Sequence, residues 1–227
     1  MIAVDLPGFG ETPWFEDPSV PARMRSLADA LEAELDALGI ERPALVGHSM
    51  GGWIALELAL RGRASRVIAL GPVGGSLPEE SAQSNHVLRR SRFLTRLVRP
   101  VAPLMLRPRW VRRLAFEGSV GDPALVGYEE AVRAVGWMAA STGFSKVVDD
   151  VAGVGDQIED NGPRFAEVSC PVLIVHGTED RVVSPKGGRR LADAIPRAEL
   201  MEVPGGGHSE ILDHPERLQD LLLQSLG

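Results

Sequence analysis

Five short aliphatic runs, separated by turn-formers or by stretches with helical spacing, restrict this chain to an architecture in which strands and helices alternate. The runs are Ile2–Leu6, Ala44–Gly47, Arg66–Leu70, Val172–Val175 and Glu199–Val203. Between the first two, Met24, Leu27, Leu31, Leu35 and Leu38 recur at spacings of three and four. They predict a helix over about Pro21–Leu38 that stops at Gly39. Further helices are predicted over Trp53–Arg61 and Gly188–Ile195, and a closing one over Glu210–Leu226, where Leu218, Leu222 and Leu226 fall in register. Strands joined through helices make βαβ units, so the fold class is α/β: a mostly parallel sheet flanked by helices on both faces.

The alternation lapses between Gly71 and about Val168, where helical patches and scattered prolines replace it. An α-rich interruption of this kind is expected to lie over the carboxyl ends of the strands, where α/β sheets keep their sites. The expected organisation is a core of residues 1–71 and 169–227 with a helical cap inserted over residues 72–168.

The run Ala44–Gly47 leads into Gly47-His48-Ser49-Met50-Gly51, and an apolar helix follows. A G-x-S-x-G pattern gains a mechanism from that context. A tight strand-to-helix turn forces the serine into a strained backbone conformation and projects its hydroxyl from the top of the sheet, and glycine is expected on either side for close approach. The N–H of Met50, opening the helix, is placed to meet a developing oxyanion. A serine hydroxyl needs a base, and the base an orienting carboxylate. Both occur at the ends of later strands: Asp180 in His176-Gly177-Thr178-Glu179-Asp180, and His208 after Gly205-Gly206-Gly207.

On these residues the chain resembles the α/β-hydrolase fold family, serine hydrolase type. The order Ser49, Asp180, His208, the G-H-S-M-G turn, the H-G-x-x-D stretch, the late G-G-H and the segment Asp5-Leu6-Pro7-Gly8-Phe9-Gly10 all carry the likeness. The resemblance implies Ser49 as nucleophile, His208 as general base, Asp180 as its partner and Met50 as an oxyanion donor. It favours Asp180 over the adjacent Glu179. It implies hydrolysis of an ester-like bond in a small or medium apolar substrate through an acyl-enzyme, without cofactor or metal, in a family that also holds amidases, C–C bond hydrolases, lactonases and cofactor-free haloperoxidases. Ser49 stands where the haloalkane dehalogenase and epoxide hydrolase branches have aspartate. In the family further strands precede the Asp5–Gly10 segment, and the loop after one of them gives a second oxyanion N–H. The expectation is an N-terminally truncated core, a fragment of a longer enzyme, with sheet edges left unpaired. The alternative from a different class is a non-catalytic ligand-binding or interaction protein on the same scaffold.

His48 and His176 are expected to be structural, and His86 and His214 to be surface or cap residues. Cys170 is the only cysteine, which precludes an intramolecular disulfide and a thiolate metal cluster, and it reads as a small apolar residue at a strand start. With no basic-then-apolar leader after Met1 and no run of apolar residues long enough to span a bilayer, the expected location is cytoplasmic. A net charge of −7 argues against a general nucleic-acid binder.

The cap interval departs from that balance. Between Ser81 and Phe116 there are nine arginines and no acidic residue, interleaved with Phe93, Leu94, Leu97, Val101, Leu104, Met105, Leu106, Trp110 and Leu114. The plain reading is a solvated basic face on amphipathic helices. The sharper one is contact with an anionic partner or an anionic lipid surface. The apolar members, with Phe116, Trp137 and Met138, are expected to wall a pocket for an apolar substrate group.

Overall fold

Side chains that alternate in direction along four parallel strands organise the core. In the computed structural model, which describes residues 1–151, 158–209 and 215–226, strands β1 (Ala44–His48), β2 (Arg66–Leu70), β3 (Val172–Gly177) and β4 (Ala198–Val203) pair in the order β1-β2-β3-β4. Every pairing is parallel, with Val46 opposite Ile68 and Leu70 opposite Val175. Val67, Ala69, Val172 and Ile174 bury on one face, while Ile68, Leu70, Val175 and Val203 bury on the other. That period of two is what a sheet covered on both sides demands.

Helices α1 (Met24–Ala37) and α2 (Met50–Leu60) cover the first face with Met24, Leu27, Trp53, Ile54 and Leu56. The helix that closes the chain, Pro215–Leu226, covers the second with Leu218, Leu221 and Leu222. Residues 210–214 of the expected closing helix, His214 among them, lie outside the described residues. The α/β class expected from the alternation is the class observed.

Between β2 and β3 run α3 (Pro78–Val98), α4 (Ala102–Met105), α5 (Arg109–Phe116), α6 (Tyr128–Ala140), α7 (Phe144–Val151) and α8 (Ile158–Phe165). Part of this segment has a core of its own, built by Ala102, Leu106, Phe116, Val120, Val126, Ala131 and Val135. Its later part joins the main core, since Val147, Phe165 and Val168 bury in the same cluster as Trp53. Beyond β3, α9 (Pro185–Ala194) packs on β3 and β4 through Leu191. The closing helix is α10. No helix among the described residues is long and apolar enough to cross a membrane.

One predicted element does not form. Ile2–Leu6 carries no strand, and Ile2 and Val4 are exposed. Aliphatic, β-branched composition makes a segment fit for a strand, but the ladder needs a neighbour to take its N–H and C=O groups. Among the described residues β1 is an edge strand, and Val46 leaves 44% of its surface exposed there. Cys170 is buried just ahead of β3, and that burial pushes its thiol pKa up.

Candidate active site

The loops at the carboxyl ends of β1, β3 and β4 bring three distant side chains together. Ser49 follows β1 and opens α2, with φ 54 and ψ −113, the only non-glycine residue of positive φ among the described residues. A conformation so sparsely populated costs on the order of 1–3 kcal/mol and persists only where its surroundings fix it. Here the fixing bonds are Ser49 N–H to the Leu70 carbonyl (2.8 Å), and the Ser49 carbonyl accepting from Trp53 (3.2 Å) and Val73 (3.3 Å). Sequence reasoning placed glycine on both sides of the serine for closeness. The structure requires it on one side only. A Cβ at Gly47 would stand 2.1 Å from the Gly51 carbonyl oxygen, whereas a Cβ at Gly51 would meet nothing within 4 Å. The turn is closed by Gly47 approaching the backbone of Gly51, so the empty side of the contact belongs to Gly47.

His208 lies 159 residues from Ser49 in sequence, yet its Nε2 stands 3.0 Å from Ser49 Oγ, and its Nδ1 stands 2.8 Å from Asp180 Oδ2. A carboxylate can only accept, so Nδ1 carries the proton and Nε2 presents a lone pair to the hydroxyl. Asp180 is buried, and its Oδ1 accepts from the Val182 and Val183 backbones at 2.8 Å each. Burial opposes its ionisation. Hydrogen bonds from His176 and His208, and the Val183 N–H, outweigh that and hold the carboxyl well below the usual carboxylate range. Glu179, its neighbour, is exposed and stands apart from this arrangement. All of Ser49, Asp180, His208 and Met50 therefore converge. Met50 begins α2, so its N–H belongs to the helix's first turn and has no intrahelical partner.

Two histidines expected to be structural prove to be joined to these groups. His176 Nε2 lies 3.1 Å from both Asp180 Oδ2 and the Val183 carbonyl. Two acceptors fix the proton on Nε2, and the buried Nδ1 has no hydrogen-bond partner. His48 Nε2 donates to the His208 carbonyl at 2.7 Å, and the two rings lie 4.8 Å apart. The signal for His176 was its spacing of four from Asp180. For His48 there was no signal, because its partner is distant in sequence. Gly71, just past β2, borders the same groups without any signal in the sequence. Its φ is +47, and a Cβ there would come within 3.4 Å of His208 Nδ1 and 3.5 Å of Asp180 Oδ2. His86 is exposed, as expected.

Burial, and next the electrostatic influence of the nearby His208 ring, lower the His48 pKa to about 4 against an ordinary 6.5, while its bond to the His208 carbonyl works the other way. The unfolded chain thus takes up a proton near pH 6.5 that the folded chain refuses until about pH 4. Stability from this group is complete above pH 6.5 and drains away as the pH falls through that window, by about 3 kcal/mol at its lower end. His48→Gln keeps a donor at the same reach without a titration. Denaturant midpoints measured from pH 7.5 to 4.5 are expected to fall less steeply in the variant. Parallel slopes for the two proteins would refute the assignment.

A cavity of about 330 Å³ opens on Ser49. Its floor is His48, Ser49, Met50 and Gly51, one wall is Val4, Asp5, Leu6 and Phe9, and its roof is Leu88 of α3 with Phe144, Val147 and Val148 of α7. The expected apolar wall is therefore built by other residues than those foreseen: Phe93, Trp110 and Trp137 are exposed, and Phe116 is buried in the second core. Asp5 is tied by its Oδ2 to the Glu11 N–H at 3.0 Å. Among the described residues, no group of three or more His, Cys, Asp or Glu is placed to hold a metal ion.

Comparison with known proteins identifies the family and the fold. A family model described as the alpha/beta hydrolase family matches residues 1–221. A 2-hydroxy-6-oxononadienedioate/2-hydroxy-6-oxononatrienedioate hydrolase of Paraburkholderia phymatum is 29% identical over 237 residues, an alignment covering 100% of this chain and 76% of that protein. The structure of a thermophilic esterase from Thermogutta terrifontis superposes with a TM-score of 0.68 at 24% identity, covering 98% of this chain and 77% of the other. That of a meta-cleavage product hydrolase from Pseudomonas fluorescens gives 0.67 at 22% identity, covering 97% and 76%. At such identities the two structures establish a common fold.

Proposed function

The chain belongs to the alpha/beta hydrolase family and is a hydrolase, and from that premise we propose that it cleaves an ester of a small or medium apolar acid through Ser49, His208 and Asp180. The observation that carries the proposal is the unbroken line of contacts from Ser49 Oγ through His208 to Asp180, with separations of 3.0 and 2.8 Å. His208 Nε2 removes the Ser49 proton as Oγ attacks the ester carbonyl carbon. The oxyanion that forms meets the Met50 N–H. Collapse breaks the ester C–O bond, and the alcohol departs with the proton from His208, leaving an acyl group on Ser49. A water molecule then gives its proton to His208 and attacks the acyl carbon, releasing the acid and restoring Ser49. Asp180, fully charged, keeps the His208 proton on Nδ1 and balances the imidazolium in each half of the cycle.

The substrate class rests on the cavity. Leu6, Phe9, Leu88, Phe144, Val147 and Val148 surround Ser49 with apolar surface, and the charged group among the described lining residues, Asp5, repels an anionic substrate tail. This supports an apolar acyl group. A second reading follows from the relatives: the P. phymatum protein is named as a hydrolase of a dicarboxylate, a 2-hydroxy-6-oxononadienedioate or -trienedioate, and the same nucleophile and base would serve a substrate of that class. The experiment is covalent labelling by a fluorophosphonate, with turnover of p-nitrophenyl acetate through octanoate. Labelling of wild type, absent in Ser49→Ala, with turnover rising into the middle of the series, is the expected result. A folded protein that neither labels nor turns over would overturn it in favour of the binding-protein alternative, and selective hydrolysis of a dienedioate over every ester would favour the second reading.

A further inference from the structure

Helix α5 is built the wrong way round for a surface in water. It buries Arg112 and Phe116 and turns Trp110 and Leu114 outward, between the exposed Arg109 and Arg113. The Arg112 guanidinium is satisfied inside by the carbonyls of Leu106 (2.8 Å), Arg107 (2.8 Å) and Val126 (3.1 Å). Helix α3 shows the same inversion. Its Leu88 and Arg92 face inward, with Arg92 held by the Met138 carbonyl, and helical geometry sets Arg90, Leu94 and Leu97 on the opposite side. Phe93, Leu97, Leu104, Trp110 and Leu114 each leave between 66% and 69% of their surface exposed. Such a concentration of large exposed side chains over consecutive helices marks a contact surface.

The charge tells what it contacts. Arg90, Arg96, Arg99, Arg107, Arg109 and Arg113 are exposed, and none forms an ion pair among the described residues. The stretch holds no acid in a chain whose net charge is −7, so the protein concentrates its positive charge where it exposes its apolar side chains. Two copies meeting symmetrically through this face would oppose arginine to arginine. A nucleic acid would take the charge and stack on Phe93 and Trp110, but would leave Leu97, Leu104 and Leu114 in water. A partner with an anionic surface and an apolar interior satisfies all of them. We propose that the outward face of α3, α4 and α5 is a peripheral docking surface for an anionic lipid bilayer, with the aliphatic and aromatic side chains entering the headgroup boundary and the arginines meeting lipid phosphates. The inference is independent of the chemistry at Ser49. Leu88 of α3 also roofs the Ser49 cavity, so the docked helix would be a wall of the site.

The test is co-sedimentation of the full chain with vesicles of phosphatidylcholine alone and of equal parts phosphatidylcholine and phosphatidylglycerol. Binding is expected to the anionic vesicles only and to weaken with salt. Each arginine at such a surface contributes about fivefold in partitioning, so Arg96→Gln with Arg99→Gln is expected to weaken it by about 25-fold. Trp110→Gln with Leu114→Gln is expected to weaken it by about tenfold or more, with neither pair altering fluorophosphonate labelling. Equal partitioning into neutral and anionic vesicles, or binding indifferent to both pairs, would overturn the proposal. So would tighter binding to a single-stranded oligonucleotide than to the anionic vesicles, or sedimentation of the lipid-free protein as a dimer that the Trp110 and Leu114 changes dissociate.

Discussion

Ser49→Ala is expected to lower kcat for ester turnover by about 10⁶, equivalent to about 8 kcal/mol of transition-state stabilisation. Alanine tolerates the φ of 54 no better and no worse than serine, so the elbow and its bonds to Leu70, Trp53 and Val73 persist and the folded state is unchanged. What disappears is the atom that attacks. His208 Nε2 then faces a methyl group, and catalysis reduces to holding the ester against the Met50 N–H, which leaves a residual rate about 10³–10⁴ above water. Single-turnover and steady-state rates on the same ester, with circular dichroism beside them, provide the check. A loss below a hundredfold in a folded variant would show that the hydrolysis proceeds without Ser49 as nucleophile.

Asp180→Asn is expected to cost about 10⁴ in kcat, and the surrounding donors explain why so small a change is so damaging. Val182 and Val183 both point N–H groups at Oδ1, so the amide oxygen of an asparagine must take that position. Its NH₂ is thereby turned toward His208 Nδ1 and His176 Nε2. A donor facing Nδ1 drives the imidazole proton to Nε2, where it points at Ser49 Oγ and can no longer accept. The same NH₂ sets a donor against the His176 Nε2–H, which then keeps only the Val183 carbonyl as its acceptor. Substrate affinity should change little, because Asp180 is not among the residues lining the cavity. KM close to wild type with collapsed kcat is the expected signature. A variant retaining more than a tenth of wild-type kcat would sink the orienting role.

These residues were legible in sequence to different depths, and the difference is physical. Ser49 announces itself because its constraint is local: a strand, a turn and a helix start within a few residues. Asp180 and His208 were legible through spacing and the order that the family resemblance supplies, and burial distinguishes Asp180 from the exposed Glu179. The shared duties of His48 and His176 follow from three-dimensional neighbours instead. His48 reaches a carbonyl 160 residues away, a contact between the end of β1 and the loop after β4 that is invisible to any local pattern. Helix α2 begins at Met50, three residues before the expected Trp53, because the strained serine itself serves as the N-cap. The roof of the cavity went to Leu88 and Phe144 and not to the tryptophans, since amphipathic spacing identifies two faces of a helix but not which of them turns inward. Ile2–Leu6 has strand composition without a strand, because hydrogen-bond partners are a property of the sheet.

Gly71 also limits how this chain can change. It occupies the end of β2 with a left-handed backbone, and its missing Cβ would sit against the very atoms through which His208 and Asp180 meet. A carboxylate moved from the end of β3 to the end of β2 would need a side chain at that spot while Asp180 still filled the space and its charge. An intermediate bearing both acids is thus disfavoured by the left-handed backbone at position 71 and by the repulsion of two carboxylates around one imidazole. A carboxylate at position 71 is therefore favoured only once Asp180 is gone, and a form without Asp180 is expected to turn over its substrate about 10⁴ times more slowly. Single substitutions at position 71 leave the acid where it is, and a designer who wants it there must rewrite positions 71 and 180 in one step.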